Sequence, residues 1–152
     1  MSVFDKDTFL NTSVTGATDS TYTPIPEGEY KAFIDELGLD KYNDAERGEV
    51  PVLILTYALI EVDHLKEELG IAKPTVQDRL FLDVENGALA FGPNKNVKLG
   101  MVREATGQND AKKAWNMNLL RGAGPVVLKV THRYNKAGEG PFSNVARIAK
   151  AA

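Results

Sequence analysis

The chain has 152 residues, 43% hydrophobic and 26% charged, which suits one soluble globular domain with a core of ordinary size. It contains no cysteine, so disulfides, thiolate zinc sites and thiol nucleophiles are excluded. The net charge of -3 hides an asymmetry: residues 1–74 carry 6 Lys and Arg against 15 Asp and Glu, and residues 75–152 carry 12 against 6. A basic surface fed by the second half is one consequence, and intermixing of the two halves in space is the other.

Residues 1–24 are rich in Ser and Thr, show no sustained period and read as an N-terminal arm. Residues 25–152 read as a single domain. Pro26 and Gly28 punctuate the chain before Tyr30, Ala32 and Ile34 begin a strand. Asp40 to Pro51 is polar and acidic, and is expected to be a loop. Val52 to Val62 is apolar on both alternating faces, which predicts a strand near the centre of a sheet. No apolar run nears the roughly 18 to 20 residues that a membrane span needs. The charges in MSVFDKDTFL also occupy the place of a signal peptide's apolar core.

DHLKEELGIAKP is either a short helix closed by Gly70 or an excursion ended by Pro74. TVQDRLFLDV predicts a strand with Leu80, Leu82 and Val84 inward and Arg79, Phe81 and Asp83 outward. Asn86-Gly87 is a strong tight-hairpin signal. Leu99, Val102 and Ala105 form a helical stripe ending near Gly107. Ala111, Ala114, Trp115 and Leu119 predict a second helix, capped by Asn109 or Asp110 and closed at Gly122. A last hairpin is expected over 126–134 and 144–149. Strands, a helical insert and a closing strand pair give a mainly β fold with a helical insert (α+β). A small antiparallel OB-like barrel fits this order, and a decorated β-sandwich is the alternative.

Nucleotide-binding loops, zincin motifs and nucleophile elbows are absent from the sequence. His64, among Glu61, Asp63, Glu67 and Glu68, matches no metal template and reads as a solvated acidic turn. A carboxylate metal site at Glu61, Asp63 and His64 is the enzyme reading, as in a nuclease accessory. His132 reads as a strand histidine with a satisfied hydrogen bond. No catalytic residue, metal or cofactor is assigned.

Alternation places Lys31 with Phe33, and Arg79 with Phe81, on strand faces opposite the apolar ones. Tyr57 lies mid-strand in the central run, Lys129 and Arg133 align on the last hairpin, and Arg147 is on its partner strand. Rings that stack bases beside cations that track phosphates are what sequence-tolerant binding of single strands requires. These eight residues are the candidate nucleic-acid-binding set. For Phe33 and Phe81 the competing role is a second packed face, and for the hairpin cations it is an ordinary solvated surface.

FLNTSVTGATDSTYTPIPEGEY, TVQDRLFLDV, NVKLGMVREATGQND, LLRGAGPVVLKVTHRYN and NVARIAK together resemble small phage-encoded single-stranded DNA-binding proteins of the OB-fold kind. The matching positions are Pro26-Glu27-Gly28-Glu29-Tyr30, Leu99 with Ala105 and Gly107, Leu120-Arg121-Gly122 and Asn144-Val145-Ala146. The resemblance implies non-catalytic binding of single-stranded DNA during phage replication or recombination, in the cytoplasm of a bacterial host. A homodimer and contacts with phage replication proteins belong to the same expectation. Many such proteins end in an acidic recruiting tail, whereas this sequence ends ARIAKAA. A virion or assembly protein that uses the same faces for subunit contacts is the alternative.

Overall fold

The computed structural model describes residues 5–18 and 23–151. The expected arm therefore lies partly outside the described residues. Its described part includes a short helix, α1 (Lys6–Leu10), capped by the Asp5 side chain and with no buried residue.

Seven strands follow: β1 (Gly28–Asp44), β2 (Gly48–Ile60), β3 (Thr75–Phe81), β4 (Val84–Glu85), β5 (Ala88–Leu89), β6 (Val126–Arg133) and β7 (Phe142–Lys150). Two helices, α2 (Asp63–Leu69) and α3 (Val97–Ala105), and a 3-10 turn at Met117–Leu120 lie between them. The fold is thus mainly β. Five strands form one antiparallel sheet in the order β3-β2-β1-β6-β7, while β4 and β5 make a separate two-stranded ribbon. The sheet curls, so that Cα atoms of its two edge strands, β3 and β7, come within 8 Å of each other.

The curl decides which face of each strand is interior. Leu53, Leu55, Tyr57 and Leu59 of β2 are buried, as are Ala32 and Ile34 of β1 and Val126, Leu128 and Val130 of β6. Val76 and Leu80 join them from β3, Leu99, Val102 and Ala105 from α3, and Val62 and Leu65 from the α2 region. Ile25 is also in this core. Its N–H donates to Ser143 Oγ at 2.9 Å, and its carbonyl lies 2.7 Å from His132 Nε2, giving that histidine the expected hydrogen bond.

Two bulges set the phase of side chains along the sheet. Ile34 pairs with Tyr57 but Glu36 pairs with Thr56, so Asp35 is an extra residue. Even-numbered residues face inward before it, and Leu37, opposite Leu55, faces inward after it. In the β6–β7 pair, Lys129 opposes Arg147 while Val130 opposes Val145, leaving Ala146 extra. A bulge inverts the alternation downstream of itself, which is how Val145 and Ile148 can both reach the core.

Several expectations are corrected. The acidic stretch from Asp40 to Pro51 is not a loop, because β1 and β2 stay paired as far as Asp44 and Gly48. Only residues 45–47 turn, held by Asp44 Oδ1 accepting from the N–H groups of Glu46 and Arg47 at 2.8 and 3.1 Å. Backbone pairing sustains this hairpin without apolar alternation, and Leu39 stands exposed on it. No second α-helix forms over 111–122. Ala111 and Ala114 are exposed, so a helix there would bury little, and the Asn116 side chain bonds the N–H of Asn118 instead. Val84, expected inward, is exposed. By contrast, Gly70 closes α2 with φ 64°, and Asn86-Gly87 turns the β4–β5 ribbon with φ 53° and 78°.

Candidate nucleic-acid interface

Residues directly opposite on paired strands share a face, with Cβ atoms about 5 Å apart. On β6 and β7 the outward rows are Lys129 with Arg147, Thr131 with Asn144, and Arg133 with Phe142. Asn144 Nδ2 donates to Thr131 Oγ1 at 3.2 Å, tying the middle row. Lys129, Arg133 and Arg147 are all exposed, and none makes an ion pair among the described residues. The structure therefore brings these three expected cations together on one hairpin face. It adds Phe142, 48% exposed, whose ring stands cross-strand from Arg133.

A second group forms on β3. Phe81 is 49% exposed and meets Tyr42 edge to face, with ring centroids 5.4 Å apart. Its register neighbour on β2 is Val52, which is fully buried although it lies on the outer side. Arg79 is next on this face, but its guanidinium already contacts Asp40 at 3.4 Å. On β1, Lys31 is similarly engaged with Glu61 at 3.5 Å. Phe33 faces out but is half-buried, because the backbone at Gly124 closes over its ring edge. Neither Phe33 nor Phe81 is among the buried residues of the core.

Tyr57 is a correction. Its ring is 0% exposed, pointing into the curl between Ile34 and Val76, and cannot offer a face to a base. Its hydroxyl is buried without a hydrogen-bond partner among the described residues, and burial raises its pKa, with the Asp78 charge adding to the effect. A buried donor without a partner carries an uncompensated desolvation cost of about 1–3 kcal/mol. Tyr57→Phe is accordingly expected to raise stability by about 1 kcal/mol in a denaturant melt, and a destabilised variant would show that the hydroxyl is bonded.

Asp78 is the inward-facing acid beside this tyrosine. Burial pushes its carboxyl above the usual carboxylate range, and the charges of Lys98 and Arg133 and the Arg79 N–H partly offset this. A folded pKa above the unfolded one means the native state holds its proton longer, so this group's contribution falls as pH rises from the unfolded carboxylate pKa through the folded one.

The sign of charge differs strand by strand. β3, β6 and β7 contain one acid among them, Asp78, and it points inward, opposite Leu55. β1 carries Glu29, Asp35, Glu36, Asp40 and Asp44. The expected single band of rings and cations across the whole sheet is therefore interrupted at β1. What remains is an outer surface on β6, β7 and β3 whose own strands place no acid outward. It is bordered by Glu29 opposite Lys129 and by the Glu27 carboxylate, which accepts from the His132 N–H at 3.0 Å. β7 and β3 are the edges that the curl brings close. Tyr42, Phe142 and the exposed Tyr134 are the rings that sequence reasoning missed. Phe142 was within reach of it, since extending the closing hairpin by two residues puts it opposite Arg133.

Among the described residues no group of three or more His, Asp or Glu side chains is placed to hold a metal ion, and His64 is exposed. No helix among them is long and apolar enough to cross a membrane. No protein-family model matches the chain, and no curated protein matches it significantly.

Proposed function

We propose that this protein is a non-catalytic single-stranded DNA-binding protein of phage replication or recombination, built on an OB-like barrel and acting as a homodimer. The observation that carries the reading is the outer surface of β6, β7 and β3, whose strands place no acid outward, with Lys129, Arg133 and Arg147 in no ion pair among the described residues and Phe142 and Phe81 exposed. In a chain of net charge -3, such a surface suits a polyanion. Backbone phosphates lie along the β6–β7 cations, releasing their counterions, while unstacked bases rest on Phe142 and on the Phe81–Tyr42 pair. The strand passes from β7 to β3 across their close approach, avoiding the acids of β1.

The barrel reading draws on the strand order β3-β2-β1-β6-β7, the near approach of β3 and β7, and the helix α3 set between β3 and β6. These are the ingredients of a five-stranded barrel whose outer face and loops take oligonucleotides.

Fluorescence anisotropy of labelled oligo-dT tests the reading. Binding is expected at about 50 mM salt and weakens steeply as salt rises. No binding at low salt, together with a size-exclusion profile in which the protein alone forms a large assembly, would move the outer face to the subunit-contact role of a virion protein.

A further inference from the structure

A separate cavity of about 430 Å³ lies away from the sheet face, between the segment after β5, α3 and the 109–117 stretch. Its size is that of a site for one small organic molecule. No acidic residue lines it, while Lys95 and Arg103 do. Its wall is fixed in place. The Trp115 indole N–H donates to Gln108 Oε1 at 2.8 Å, and the Arg103 guanidinium lies 4.2 Å over the indole ring. Arg103 Nε donates to the Gln108 carbonyl at 3.1 Å, so cation and ring are positioned by one residue.

Two features of the lining, Phe91 and Gly100, lack a role in the fold. Phe91, at the rim, is 80% exposed, a large ring left in water beside a cavity. Gly100 sits in the middle of α3, where a glycine weakens a helix, and a Cβ there would meet open space. The missing side chain widens the cavity at that point. Asn109 and Asn116 also line the space: the Asn109 NH₂ makes only a long contact of 3.5 Å to Glu104 Oε1, and the Asn116 oxygen accepts from the Asn118 N–H while its NH₂ has no hydrogen-bond partner among the described residues.

We propose that this cavity binds a single nucleotide, with the base against Phe91 and its edge read by the two amides, and the phosphate at Lys95. An aromatic wall alone would accept any apolar ring. The two cations, the absence of acid and the amide groups select a planar, hydrogen-bonding ring that carries an anion. The site is distinct from the sheet surface and does not depend on it.

Trp115 is the single tryptophan and lines the cavity, so its fluorescence reports occupancy. Titration with dTMP and dAMP should change that fluorescence saturably, with a dissociation constant of roughly 1 mM or tighter. Gly100→Leu, which gains helix propensity while filling the space, should abolish the change and keep the melting temperature. Lys95→Glu should weaken mononucleotide binding roughly tenfold or more, the size of one lost charge-assisted contact. No saturable change, a change that survives Gly100→Leu, or an equal response to inorganic phosphate alone would overturn the proposal. Oligo-dT anisotropy separates the two sites. Strand binding without a mononucleotide response overturns the cavity assignment only. A mononucleotide response without strand binding supports the cavity and removes the sheet reading.

Discussion

Replacing Lys129, Arg133 and Arg147 together with glutamine is expected to lower oligo-dT affinity roughly 10²- to 10³-fold at about 50 mM salt. Each single-strand phosphate contact releases about 0.7 of a counterion, so three contacts account for a change of about 2 in the slope of log affinity against log salt. The slope is the sharper readout, because loss of fold would remove binding without leaving a reduced but measurable salt dependence. All three residues are exposed on strands, and the melt should stay within about 0.5 kcal/mol of the parent. The small residue of that change belongs to Arg133, whose charge eases the half-buried Asp78 carboxylate. Arg79→Gln should cost less than any of the three, since Arg79 is already drawn to Asp40 at 3.4 Å. Asp40→Asn should release that arginine and tighten binding modestly. A triple variant with unchanged slope would place the DNA elsewhere.

The contrast between these cations shows what the sequence could and could not convey. Lys129 and Arg133 were legible because each alternates with core residues on a strand whose apolar face is unambiguous: Leu128 and Val130 are buried, and these cations follow the opposite phase. Arg147, by contrast, stands two residues from buried Val145 and is turned outward only by the bulge at Ala146. Tyr57 was not legible, because β2 is apolar on both sides and only the direction of curl decides which side is interior. The engagement of Lys31 with Glu61, and of Arg79 with Asp40, depends on strand register. The Asp35 bulge shifts that register by one residue. A local pattern cannot reveal an inserted residue whose cause is the bending of the whole sheet. The helix expected over 111–122 failed differently: its apolar spacing was present, but the residues meant to be buried had no surface to meet, and the Asn side chains competed for the backbone. Local signals held where chemistry is local, as in Asn86-Gly87, Gly70 and the Leu99–Val102–Ala105 stripe, all of which the structure uses.

Gly124→Ala is expected to be the most destabilising single-methyl change in the β1–β6 region. Gly124 has φ +132°, a conformation that an L side chain rarely adopts, at a cost of about 1–3 kcal/mol. A Cβ there would also stand 3.0 Å from the Ala32 carbonyl oxygen and 3.1 Å from Phe33 Cδ1. The first of these is backbone in a paired strand and cannot turn away. Nor can the segment retreat easily, because Ala123 O accepts from the N–H of Ile34 at 2.9 Å and the N–H of Gly122 donates to Ile34 O at 2.7 Å. Strain and contact together should cost about 2–4 kcal/mol, a large share of the roughly 5–15 kcal/mol that holds a domain folded. For a chain of this length that lowers the melting temperature by about 5–15 °C. Gly122→Ala is the control: its φ of +73° is also left-handed, but a Cβ there meets nothing within 4 Å. It should cost only the conformational penalty, about 1–2 kcal/mol. Equal melting temperatures for the two variants would mean that the chain around Gly124 yields, and that Phe33 is not held by this contact. If Gly124→Ala instead melts well below Gly122→Ala, the glycine is what lets the segment before β6 close over Phe33, leaving that ring half-buried while Phe81 and Phe142 stay open to a base.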